Sequence, residues 1–147
     1  MHLTQLIYTS TISDSFVVDD IHSIMESAKR NNAEAGLTGL LYFNRQYFLQ
    51  CLEGGRDQVN KAYNTILSDS RHKDIVILSY QEISEREFPS WQMGYLPESD
   101  LTKSAYIHFT ANYTLDPYSI SGSSAHGLIL ELKGILKQQK SVTSKAS

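Results

Sequence analysis

Strand-like and helix-like patterns alternate along the first part of this chain in the order β-α-β-β-α-β, and few folds accept that order. Residues 3–10 (LTQLIYTS) read as a strand with Leu6, Tyr8 and Ser10 on one face and Ile7 and Thr9 on the other. Ile21, Ile24, Met25 and Ala28 then recur at helical spacing behind an Asp19 or Asp20 cap, and this helix is expected to end near Asn32, before Gly36. Residues 37–43 (LTGLLYF) and 47–53 (YFLQCLE) have the spacing of a hairpin. Val59, Ala62, Tyr63, Ile66 and Leu67 mark a second amphipathic helix, residues 75–83 a fourth strand and residues 91–96 a fifth. The expected fold is α+β: a ferredoxin-like β-α-β-β-α-β sandwich with an added fifth strand and two helices on one face of a mixed sheet.

Beyond Pro97, residues 100–110 and 125–139 look helical, joined by a linker that contains Asp116-Pro117 and SISGSS. Two short helices cannot form a core alone, so they must pack on the sheet or on another chain. The expected organisation is a compact unit over residues 1–97, a helical cap for output or oligomerisation over 98–140, and a disordered tail over 141–147. Thirteen basic against sixteen acidic residues give a net charge of −3, which argues against a non-specific nucleic-acid binder. The one cysteine, Cys51, permits no internal disulfide, and the five histidines show no metal-ligand spacing. With neither a signal peptide nor a membrane-length apolar run, a soluble cytoplasmic chain is expected. The sequence contains no GxGxxG, no GxxxxGK[ST] and no GxSxG, so nothing in it requires an enzyme.

The informative residues are polar ones where apolar ones belong. In YFLQCLE, Gln50 shares a strand face with Phe48 and Leu52, so its amide should be buried and in need of partners. Cys51 faces the other way and reads as buried and inert. Tyr8 lies mid-strand between apolar neighbours, with a hydroxyl that also wants a partner. In the expected sandwich the first and third strands are adjacent, so Tyr8 and Gln50 can touch. Asn31 and Asn32 follow Ile24, Met25 and Ala28 around the first helix toward its buried side, although asparagine is also common where helices end. Together these side chains suit a planar, amide-rich ligand between the two helices, with Ile24 and Ile66 as apolar walls.

LIYTS, RNNAEAGLTGLLYF, FLQCLEG, DSRH and WQM, in that order over residues 3–96, resemble the BLUF domains, blue-light sensors that use flavin. Residues 101–140 are similar to the helical cap of short stand-alone members. The resemblance implies that Tyr8 is the electron and proton donor and that Gln50 bridges its hydroxyl to the flavin. It implies that Asn32, with Asn31 beside it, holds the pyrimidine end, and that Ile24 and Ile66 sandwich the ring. By the same resemblance Asp69, Arg71 and His72 form the polar run near the flavin's carbonyl or ribityl-phosphate side, while Trp91 and Met93 on the fifth strand lie near Gln50 and relay its change. Thr65 and Lys29 match no strict family residue and are left outside the site. The implied cofactor is FAD, with FMN and riboflavin as alternatives. The implied partner is a separate signalling protein, such as a response regulator or transcription regulator, and the implied assembly a homo-oligomer. Two other functions fit the fold: a flavin-free regulatory or interaction module, and a small acylphosphatase-like hydrolase. The hydrolase lacks its arginine after the first strand, where the chain reads TSTIS.

Overall fold

The computed structural model describes residues 2–14, 16–17, 19–89, 91, 94–111 and 114–146, with backbone alone at residue 19 and at 140–146. Its elements are β1 (Leu3–Ile12), α1 (Asp19–Ala35), β2 (Thr38–Phe43), β3 (Tyr47–Gly55), α2 (Arg56–Leu67), β4 (His72–Ile83), β5 (Gly94–Pro97), α3 (Asp100–Tyr106), a 3₁₀ turn (Ile107–Phe109) and α4 (Gly122–Ala146). The five strands are ordered β4-β1-β3-β2-β5. β1 is antiparallel to both β3 and β4, β2 is antiparallel to β3, and β5 adds in parallel beside β2. This is the expected ferredoxin-like sheet with a fifth strand on the β2 edge.

The element ends differ from the sequence expectation where backbone geometry overrides side-chain pattern. α1 continues past Asn32 to Ala35 and stops at Gly36, whose φ of 70° is the left-handed turn that glycine adopts without penalty. β4 begins at His72 rather than residue 75, because it pairs with β1 from Ile12 onward through an irregularity that puts Asp74 at φ 54°. Residues 100–110 divide into α3, opened by a reciprocal Ser99–Thr102 capping box, and the 3₁₀ turn. α4 runs through Ser141 to Ala146, where a disordered tail was expected; no glycine or proline follows Gly134 to stop it.

Strand alternation divides the sheet's side chains between two cores. On one face Leu6, Tyr8, Leu41, Phe48 and Leu52 meet residues of α1 and α2, among them Ile21 and Val59. On the other, Ile7, Leu40, Leu49 and Cys51 pack against Ala105 and Tyr106 of α3 and Leu128, Ile129 and Leu132 of α4. Each of those three α4 side chains is at most 1% exposed, and a fully buried Leu or Ile contributes roughly 1.5–3 kcal/mol. That is ample to hold the cap on the sheet. No helix among the described residues is long and apolar enough to cross a membrane.

Candidate functional site: a cavity between the two helices and the sheet

Between α1, α2 and the sheet lies a cavity of about 350 Å³, within the range of small-molecule sites. Ile24 and Ile66 face it from the two helices, Asn31 and Asn32 from the last turns of α1, and Asp69, Arg71 and His72 from the segment that leads α2 into β4. Tyr8 and Gln50 form part of its floor.

Those two residues are directly opposed in the β1–β3 ladder, and the Tyr8 hydroxyl donates to Gln50 Oε1. Both are almost fully buried, at 3% and 7% exposed. Burial, then the charge of Asp69, then Tyr63 push the Tyr8 phenol far above its ordinary value, so its proton stays in place across the physiological range. The Tyr63 ring meets the Tyr8 ring edge-on at 6.1 Å. With its carbonyl oxygen accepting from Tyr8, Gln50 carries a donor, its NH₂, at the other end of the same amide.

The polar rim is built from its own contacts. Arg71 grips Asp69 through Nε at 2.9 and 3.1 Å and through a terminal nitrogen at 2.7 Å. This fork-like pairing holds the Asp69 carboxyl below its ordinary value and raises the guanidinium. A depressed carboxylate contributes stability above its unfolded value of 3.8, and that contribution is lost as pH falls through the lower folded value. Asp69→Asn is therefore expected to melt roughly 2–4 °C below the parent chain near neutral pH, with the gap closing below pH 3.8; melting curves at pH 7, 5 and 3 check this. His72, which also lines the cavity, makes two bonds of its own within the protein. Its Nε2 lies 2.9 Å from the Ile66 carbonyl, which can only accept, so Nε2 carries a hydrogen. In the neutral ring Nδ1 then accepts from Ser10 Oγ at 2.7 Å. His72 thereby fastens the end of α2, including the Ile66 wall, to β1.

Residues 3–94 match the family described as sensors of blue light using FAD. The chain belongs to the BLUF family. Over 86 residues it is 41% identical to the blue light- and temperature-regulated antirepressor BluF of Escherichia coli (strain K12), a match over 58% of this chain and 21% of that protein. It is 36% identical over 88 residues to the photoactivated adenylate cyclase subunit beta of Euglena longa, covering 60% of this chain and 10% of the cyclase. The chain thus spans only a small part of the curated relatives it matches. Among solved structures, the photo-activated state of BlsA superposes with a TM-score of 0.82 at 26% identity, over 88% of this chain and 94% of that one. The dark-state BLUF protein BlrB gives 0.64 at 32% identity, over 65% and 73%. The part of the chain that matches belongs to a family of blue-light sensors that use flavin.

The cavity gathers every BLUF residue expected to hold flavin. Asn32 is buried at 7% exposed while Asn31 is exposed at the rim. Trp91 lies elsewhere. It precedes β5 instead of belonging to it and packs with Phe88 on the opposite face of the sheet, against the core under α4. Gly94 makes that seat: a side chain there would meet Trp91 and Leu136. The expectation that Trp91 sits near Gln50 is therefore corrected, and Met93 lies outside the described residues. Sequence reasoning passed over Ser27, Gln58 and Lys61, which line the cavity; of the two residues it left outside the site, Thr65 lines the cavity, whereas Lys29 is exposed and does not. Positions 58, 61, 62, 65, 66 and 69 recur at helical spacing, so the stripe carrying Ile66 could have drawn them in.

Proposed function

We propose that this chain senses blue light through the Tyr8–Gln50 pair and passes the signal to a separate protein. The observation that carries the proposal is the buried hydrogen bond between those two side chains on the floor of a cavity walled by Ile24, Ile66 and Asn32. The donor set suits flavin: apolar walls for a flat ring, amides for its pyrimidine edge, and Lys61 and Arg71 at the rim for an anionic tail. When bound there, flavin supplies the absorption of blue light and an excited state that accepts an electron. Tyr8 would be the donor of that electron and, made strongly acidic by its loss, would pass its proton into the hydrogen bond with Gln50, taking both back as the flavin returns to its resting redox state. Gln50 has a donor and an acceptor end, so rotation or tautomerisation reverses the pattern it presents to the cavity. Each neutral hydrogen bond is worth roughly 0.5–1.5 kcal/mol net, so one or two rearranged bias a two-state element by about tenfold.

FAD is the proposed form of the cofactor, supported by the family's description and the basic rim. A transcriptional or response regulator is the proposed partner, supported by the antirepressor relative. The exposed Leu101, Ile107 and Leu130 on the cap support self-association as part of the same proposal. We place the chain in the cytoplasm, in keeping with its lone thiol, buried on Cys51. Asn32→Ala is expected to weaken flavin binding by roughly 10- to 100-fold, because a buried amide partner is lost; titration of the flavin-free protein measures it.

The deciding experiment is the absorption spectrum of the purified protein in darkness and after blue light, with the released cofactor identified by chromatography. A flavin band that shifts reversibly to the red supports the proposal. A colourless protein that takes up no added flavin sinks it in favour of a flavin-free module.

A further inference from the structure

A second cross-strand pair lies three rungs from Tyr8–Gln50 on the same β1–β3 ladder, on the other face of the sheet: Gln5 opposite Glu53. Both are fully buried at 0% exposed, and the flavin cavity uses neither. Glu53 carries a fully buried carboxyl group, which is tolerated only when its oxygens are well supplied with partners. They are: Gln5 Nε2 donates at 2.9 Å, the backbone N–H of Glu87 at 3.0 Å and that of Phe88 at 2.9 Å. Arg86 reinforces the seat by donating to the Glu53 carbonyl at 3.1 Å and to Thr38 Oγ1 at 2.8 Å. Glu53 therefore holds the segment 86–88, just ahead of Trp91, against the centre of the sheet.

That segment is in turn fastened to the cap. The Glu87 carboxylate receives Gln5 Nε2 at 3.3 Å and His126 Nε2 at 2.9 and 3.0 Å, and His126 belongs to the first turns of α4. Lys133, further along the helix, places its ammonium 5.5 Å from the Phe88 ring centre. Gln5 also accepts from Gln81 Nε2 at 3.1 Å, which adds β4 to the same network. The chain of contacts Gln50–β3–Glu53–segment 86–88–His126–α4 is continuous, and each polar link is a short, directional bond.

We infer that the Glu87–His126 bond is the joint through which the β1–β3 ladder acts on α4, with Glu53 and Gln5 as positioning residues. This rests on the photosensor reading above. A change of hydrogen bonding at Tyr8–Gln50 alters the spacing of β1 and β3; the Gln5–Glu53 pair spans the same two strands, so it moves the seat of Glu87 and with it the anchor of His126. The route is polar, and Trp91 meets the same segment through the Phe88 ring.

Hydrogen exchange of the flavin-loaded full chain, in darkness and under blue light, tests the inference on the parent and on His126→Ala and His126→Gln. The His126 side chain is 30% exposed, so alanine there leaves the core intact, and glutamine can still donate to Glu87. Exchange in the first half of α4 should change with light by roughly fivefold in the parent and in His126→Gln, and by little in His126→Ala, with the flavin red shift equal in all three. An undiminished change in His126→Ala, or a red-shifting parent with a light-insensitive α4, overturns the joint while leaving the photosensor intact. A parent with no red shift removes the photosensor reading and the joint together.

Discussion

Gln50→Leu is expected to leave a protein that binds flavin and absorbs blue light yet shows no red shift at all. Leucine fits between Phe48 and Leu52, its neighbours on that strand face, so β3 keeps its place in the sheet. What disappears is the only kind of group that can both accept from Tyr8 and present a different pattern afterwards. The Tyr8 hydroxyl loses its Gln50 acceptor inside a buried site, a cost of roughly 1–3 kcal/mol that leucine's added apolar burial partly offsets. Stability therefore moves little while the light response falls to zero. Difference spectra before and after illumination read the second, and a urea melt reads the first. A shift of normal size in Gln50→Leu would falsify the assignment of the switch to this side chain.

The largest stability effect should come from a residue with no chemistry. A methyl group on Gly39 would stand 1.9 Å from the Cys51 carbonyl oxygen and 2.9 Å from its carbonyl carbon. Those are backbone atoms of β3, which is bonded to β1 on one side and β2 on the other, so they cannot step aside. The Gly39 N–H also donates to the Trp91 carbonyl at 2.9 Å, tying the approach of β5 to the same spot. Gly39→Ala should cost about 3 kcal/mol or more, lowering the melting temperature by roughly 10 °C or preventing accumulation of folded protein. Gly134→Ala is the matched control. Nothing lies within 4 Å of a methyl group there, and alanine in a helix interior should stabilise by about 0.5–1 kcal/mol. Equal melting temperatures for the two variants would show that the β2–β3 contact is looser than this geometry.

The sheet and the central pair were legible in the sequence because both depend on local pattern. Alternation in YFLQCLE identifies Gln50 as an amide among apolar neighbours, and its opposition to Tyr8 follows once strand order is known. Trp91 was misplaced for a physical reason: a β-prone stretch gives no sign that Trp91 itself stays out of the sheet, held by bonds from Trp91 to Phe88 and from Gly39 to Trp91. Ser27, Gln58 and Lys61 were missed because a polar residue on a helix reads the same whether it faces water or a ligand, and Thr65 was left out because it matches no family motif. Glu53 was equally silent. Its donors on Glu87 and Phe88 lie 34 and 35 residues away, and no local pattern announces a loop that folds back over a strand.

The cap residues Leu128, Ile129 and Leu132 share one core with Ile7, Leu40 and Cys51 of the sheet. The expected division near residue 97 is therefore a boundary of sequence character but not of folding. Cutting the chain there for a minimal photosensor would strip the cover from Ile7, Leu40, Tyr42 and Leu49, leaving a sticky sheet prone to pair with itself. Anyone grafting this sensor onto a new output should keep both helical layers and make the splice beyond α4. A fusion at that point would take its orientation from the axis of a helix already welded to the light-sensing sheet.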